Sequence, residues 1–154
     1  MVTDEKLADT LNDLVKINND RVVGYTKAAK ELSAEDVDLK AVFMKMSDES
    51  EGYVSDLRKA VTALGDDTSS DTTSSGKIYR TWMDVKNVFT GSDRKSILES
   101  CEFGEDAAQK AYQEALESDA EIPAEIRQLI IKQKESLKTS HDGIKKYRDL
   151  EQMA

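Results

Sequence analysis

The chain has 154 residues, with 31 acidic side chains against 22 basic ones and a formal charge of −9. That length suits one buried core and argues against two large domains. The acidity works against phosphate backbones and anionic lipid, so neither nucleic acid nor a membrane is the expected partner. A lone cysteine, Cys101, excludes an internal disulfide. No apolar run approaches the roughly 20 residues that span a bilayer. The acidic start, Met1 to Glu5, lacks the basic and then apolar regions of a secretory signal, so a cytoplasmic protein is expected. One proline and seven glycines among abundant Ala, Leu, Lys and Glu point to an all-α class.

The first helix is expected over about 4–33. Leu7, Leu11, Leu14, Tyr25, Ala28, Ala29 and Leu32 recur at offsets of three and four, and Ile17 and Val22 widen the stripe. Near its centre the stripe turns polar, at Asn18 and Arg21. Ser33 to Asp36 reads as a short turn, with Ser33 or Asp36 as a cap for the next helix.

A second helix over about 37–65 carries Leu39, Val42, Phe43, Met46, Ser50, Tyr53, Leu57, Val61 and Leu64 along one side, with Glu49 at its middle and Gly65 as the terminating residue. "GDDTSSDTTSSG", Gly65 to Gly76, is too polar for a helix and reads as a surface loop. A short amphipathic helix over about 77–89 follows, with Ile78, Trp82, Val85 and Phe89 on one face and Trp82 as its packing anchor.

The third long helix, about 93–118, has Ser92 as its cap and places Ile97, Cys101, Gly104, Ala108, Ala111 and Ala115 on a face, with Leu98, Tyr112 and Leu116 beside it. The fourth, about 123–152, opens at Pro123, an acceptable first-turn residue. Its stripe is Ile126, Ile130, Gln133, Leu137, Ser140, Ile144 and Tyr147, flanked by Leu129 and His141.

Helices of matching length, roughly 40 to 45 Å at 1.5 Å per residue, can pack side by side along their whole extent. Short joins after the first and third favour antiparallel hairpins, while the long connection between the second and third allows a crossing. Hairpin, crossover and hairpin is the arrangement of a ferritin-like four-helix bundle.

That arrangement raises the question of a metal. A carboxylate-bridged di-iron bundle needs glutamates on facing helices and two Glu-x-x-His pairs. The chain has one histidine, His141, and the residue three before it is Lys138, so the full site is absent. The constellation left for iron or another divalent metal is Glu49, Glu102, Glu105, Gln133 and His141. Glu102 and Glu105, three residues apart, share one helical face. Unpaired core carboxylates are costly, so the competing expectation puts these acids on the margin of a bundle seam, facing water or a base such as Arg21. In it, Asn18 and Gln133 hydrogen-bond in the core and His141 makes a local polar contact.

No other chemistry has a stronger claim. Cys101 on a small-residue face reads as a small buried hydrophobe. No phosphate-binding loop, dinucleotide glycine pattern, zinc cluster or EF-hand is present. Gly24, Ala28, Gly104 and Ala108 leave room on facing helices for Tyr25, Tyr53 and Tyr112, whose hydroxyls need partners.

"LADTLNDLVKINNDRVVGYTKAAKEL", "SGKIYRTWMDVK", "ILESCEFGEDAAQKAYQEAL" and "IPAEIRQLIIKQKESLKTSHDGIKKYRDL" together resemble the bacterial family called domain of unknown function 2383. The resemblance implies a ferritin-like four-helix bundle and no established reaction. Without a convergent chemical site, the expected role is non-catalytic: structural, interaction or stress-associated, with no catalytic residue and no cofactor. The alternative is a degenerate ferritin-like metal-binding or di-iron protein. An apolar stripe beyond what four-fold packing consumes would serve a homodimer or a protein partner, and the sequence does not choose between monomer and dimer.

Overall fold

The computed structural model describes residues 2–64, 94–118 and 120–153, and among them all regular structure is helical. The elements are α1 (Val2–Glu31), α2 (Val37–Ala63), α3 (Arg94–Leu116) and α4 (Ala124–Met153). Their ends fall within about two residues of the expected ones, the usual uncertainty of a fraying terminus.

The expected caps need correction. Asp36 does stand at the N-cap of α2, but its side chain caps no backbone N–H. Its carboxylate instead accepts hydrogen bonds from Ser33 Oγ (3.0 Å) and Arg94 Nη1 (3.0 Å), while its backbone carbonyl accepts the first helical bond from Lys40. Pro123 lies just before the first turn of α4, its carbonyl accepting the N–H of Arg127. Gly65, Ser92 and the amphipathic stretch 77–89 with Trp82 lie outside the described residues.

Named contacts fix the directions of the helices. Tyr25 packs on Phe43 with ring centroids 5.4 Å apart, and Asn18 meets Ser50, so α1 and α2 are antiparallel. Asn18 reaches Tyr112 while Tyr25 reaches Glu105, which makes α3 antiparallel to α1. Glu49 with Ser140 and Tyr53 with Ser136 set α4 antiparallel to α2. Gln109 with Lys134 and Glu102 with Arg148 do the same for α3 and α4. Around the bundle the order is therefore α1, α2, α4, α3.

The diagonal pair α2 and α3 consequently run in the same direction. Arg94 confirms it, since the start of α3 sits on Asp36 and Asp38 at the start of α2. The chain leaves α2 at one end of the bundle and re-enters at the other, about 40 Å away for a helix of 27 residues.

The four seams are unequal. α1 packs closely on α2, and α3 on α4; α1 touches α3 less, and α2 and α4 barely approach. The side chains follow this gradient. Along α1, Ala8 and Val15 are buried in addition to the expected stripe, whereas among the described residues α4 buries only the line Ile130, Gln133, Leu137, Ser140 and Ile144. Val42, Tyr53, Ala60 and Leu64 of α2 and Ile126, Leu129 and Tyr147 of α4 are only partly buried against the core.

Candidate functional site

Halfway along α1 the apolar stripe is interrupted by Asn18 and Arg21, and both point inward, 1 % exposed. An isolated guanidinium there would be very unfavourable, so its donors must all be met. Nη2 donates to Glu105 Oε2 at 2.8 Å, and Nε lies 3.2 Å from both Glu105 oxygens. Nη1 donates to Ser50 Oγ (2.7 Å) and to the Met46 carbonyl (3.0 Å), and the Met46 sulfur lies 3.4 Å from Nη2. Glu49 adds a longer ion pair at 3.8 Å. The guanidinium carbon also sits 5.1 Å from the centroid of the Tyr25 ring, close enough for a cation–π contribution.

Glu105 is fully buried. Besides the arginine fork, its Oε2 accepts a short hydrogen bond from the Tyr25 hydroxyl. Burial, and then the Glu105 charge, push the Tyr25 phenol well above its ordinary pKa, so it stays a proton donor to the carboxylate. For Arg21, burial would by itself lower the pKa, but Glu105, aided by Glu49, more than offsets it and holds the guanidinium charged. The thiol of Cys101, 1 % exposed, is pushed up by burial and then by Glu105, away from any nucleophilic role.

A hydrogen-bond relay leads out of this ion pair. Arg21 donates to Ser50 Oγ, Ser50 Oγ to Asn18 Oδ1 (2.9 Å), and Asn18 Nδ2 to the Tyr112 hydroxyl (2.8 Å) and the Leu14 carbonyl. Tyr112 donates to Gln133 Oε1 at 2.6 Å, and Gln133 Nε2 reaches the Tyr53 carbonyl. Burial drives the Tyr112 phenol pKa up. The Tyr53 hydroxyl, at the loose seam, bonds Ser136. All four helices contribute, so the relay fixes how the two hairpins register against each other.

The sequence candidates separate accordingly. Glu105 lies at the centre, and the expectation that it sits on the margin of a seam is wrong. Three residues along a helix leave two side chains roughly 60° apart around its axis. That turn is enough to send Glu105 inward and Glu102 to the α3–α4 flank, where Arg148 Nη1 binds its Oε1 and its Oε2 is buried without a hydrogen bond. Glu49 is partly exposed and meets Ser140 Oγ at 3.1 Å. Gln133 is buried in the relay. His141 is on the outer α3–α4 seam, its Nε2 2.5 Å from Asp106 and its Nδ1 3.2 Å from Asp142.

The structure does not bring the five candidate ligands together at one point. Among the described residues no group of three or more His, Cys, Asp and Glu side chains converges as metal ligands. Glu105 and Glu49 face a guanidinium, while Glu102 and His141 are tied to other partners on the flank. The pattern reading did not place Tyr25, Ser50 and the Met46 carbonyl in this centre; Asn18 and Arg21, polar residues inside an apolar stripe, and the candidates Glu105 and Gln133 marked the spot.

A family model for a Domain of unknown function (DUF2383) matches residues 6–118. The chain belongs to that family. The match takes in Arg21, Tyr25 and Glu105, and stops before α4, so the DUF2383 match does not reach Gln133 and His141. No curated protein matches the chain. No described helix is long and apolar enough to cross a membrane.

Proposed function

We propose that this chain is a ferritin-like bundle whose connection between α2 and α3 carries the short amphipathic helix about Lys77–Phe89. Its role is non-catalytic and cytoplasmic, as a structural, interaction or stress-associated protein. The observation that carries this reading is the central Arg21–Glu105 pair. In a carboxylate di-metal bundle, glutamates from facing helices project into the core and the metals neutralise them. Here a side chain of the bundle itself supplies the positive charge, with each nitrogen engaged by acceptors from α2 and α3. The relay beyond it uses neutral donors and acceptors and ends at a backbone carbonyl, which suits a scaffold that specifies one packing arrangement.

Elemental analysis of protein purified without added metal, followed by iron titration, tests this. The expected result is metal well below one equivalent and no saturable binding. Stoichiometric metal that disappears in Glu105→Gln would overturn the reading. The metal-binding alternative has one observation in its favour, the partly exposed Glu49 carboxylate beside Arg21 and Ser140. Iron binding abolished by Glu49→Gln would establish it. Sedimentation over a range of concentrations addresses self-association, and a concentration-independent monomer would remove the homodimer.

A further inference from the structure

We propose that the centre of this bundle is a cation-binding site built for a planar guanidinium, and that Arg21 is its permanently tethered occupant in place of a metal ion. The inference deepens the non-metal function proposed for the chain and rests on it for the natural protein.

Shape and donor chemistry both select that cation. The acceptors around Arg21 are one carboxylate placed side-on, one hydroxyl, one backbone carbonyl and a thioether. They lie where the N–H bonds of a flat fork point, and the Tyr25 ring lies 5.1 Å from its central carbon. A divalent metal would instead ask for several oxygen or nitrogen donors at about 2 Å, arranged in three dimensions. Among the described residues only Glu105 supplies a close negative charge, which balances one monovalent cation; Glu49 is farther off and meets Ser140 across the loose α2–α4 seam. Glu105 in turn is held by Tyr25, and Ser50 by Asn18, so the acceptors are braced from behind. Such bracing distinguishes a preorganised site from an ion pair formed by two flexible side chains.

Arg21→Ala removes the occupant and leaves its frame. The missing fragment corresponds to N-ethylguanidinium, and N-ethylurea is its neutral counterpart of similar shape. Thermal unfolding of Arg21→Ala is followed with each compound and with Mn²⁺ alone, at matched ionic strength. N-ethylguanidinium is expected to raise the midpoint saturably, by roughly 3–5 °C. It should do nothing of the kind to the unmutated chain, whose site is filled, or to Arg21→Ala/Glu105→Gln, whose anion is gone. N-ethylurea and Mn²⁺ should have no effect.

Should Arg21→Ala be unfolded in buffer, recovery of its helical circular dichroism on adding N-ethylguanidinium is the same measurement. Absence of both responses overturns the proposal, as does an equal response in the double variant. Stabilisation by Mn²⁺ and not by N-ethylguanidinium would show a metal site that Arg21 merely plugs. These outcomes are independent of the metal content of the unmutated protein, so this inference and the proposed function can fail separately.

Discussion

Two arginines tie helices together through carboxylates, and their surroundings make them different devices. Arg94 stands at one end of the bundle and gathers Asp36, Asp38 and Glu151, bringing the starts of α2 and α3 to the end of α4. It is a quarter exposed and Asp38 more than half, so water competes for the bonds between them. Arg21 gathers Glu105, Ser50 and Met46 at the centre, where water does not compete. A buried pair gains little over well-packed apolar residues, but it cannot lose one partner without stranding the other charge. The end clasp therefore adds modest stability, while the central pair makes any alternative hairpin register costly.

The largest effect to be expected is from breaking the central pair on one side. Glu105→Gln leaves Arg21 buried beside a neutral amide and should cost about 3–5 kcal/mol in urea unfolding. Replacing the unit together, Arg21→Met with Glu105→Leu and Tyr25→Phe, should recover most of that loss, because no charge or hydroxyl is left stranded. A triple variant as unstable as the single one would contradict this assignment of the cost to a stranded charge. Next comes Tyr112→Phe, which removes the donor to Gln133 and the acceptor from Asn18 at a fully buried position. About 1–3 kcal/mol is expected.

Apolar spacing made the fold legible in the sequence: offsets of three and four over long stretches placed α1, α2, α3 and α4 to within about two residues. Part of the centre was legible too. Asn18 and Arg21 break a stripe of leucines, and a buried acid needs a base, so Arg21 was the natural partner for one of the glutamates. Periodicity could not say which. Glu102 and Glu105 differ by a rotation of roughly 60°, and whether that carries a carboxylate into the core depends on where α1 and α4 sit against α3. Tyr25 and Ser50 were read as packing and stripe positions, because what their hydroxyls meet lies 80 and 32 residues away in the chain.

Arg94→Ala sharpens the comparison from the other side. It should lower the unfolding midpoint far less than Glu105→Gln, and the difference from the unmutated chain should shrink as salt is added, as for exposed pairs. The hydrogen bond from Arg94, together with the backbone N–H of Leu39, outweighs desolvation and holds the Asp38 carboxyl down to about 2 from 3.8. A depressed carboxyl stabilises the fold above its unfolded pKa and loses that contribution as pH falls through the folded one. The clasp should therefore weaken between about pH 4 and 2, and Arg94→Ala should lose that part of the acid sensitivity.

The smallest expected effect lies on the outer α3–α4 seam and concerns only pH. His141 bridges Asp106 of α3 and neighbouring Asp142 of α4, with Lys138 paired to Asp142 one turn away. Partial burial works to lower its pKa, but the hydrogen bonds to Asp142 and Asp106 outweigh it, and the imidazole ends above its ordinary 6.5. The folded chain thus binds the proton more tightly than the unfolded one. By linkage the contribution is fully present below pH 6.5 and fades as pH rises through the folded value. Urea midpoints measured across neutrality should drift downward for the unmutated chain and stay flatter for His141→Gln. Equal slopes would mean that Asp106 and Asp142 meet the imidazole too loosely to favour its charged form. Arg21 should contribute nothing to the slope over the same range, because it is held charged well above neutrality.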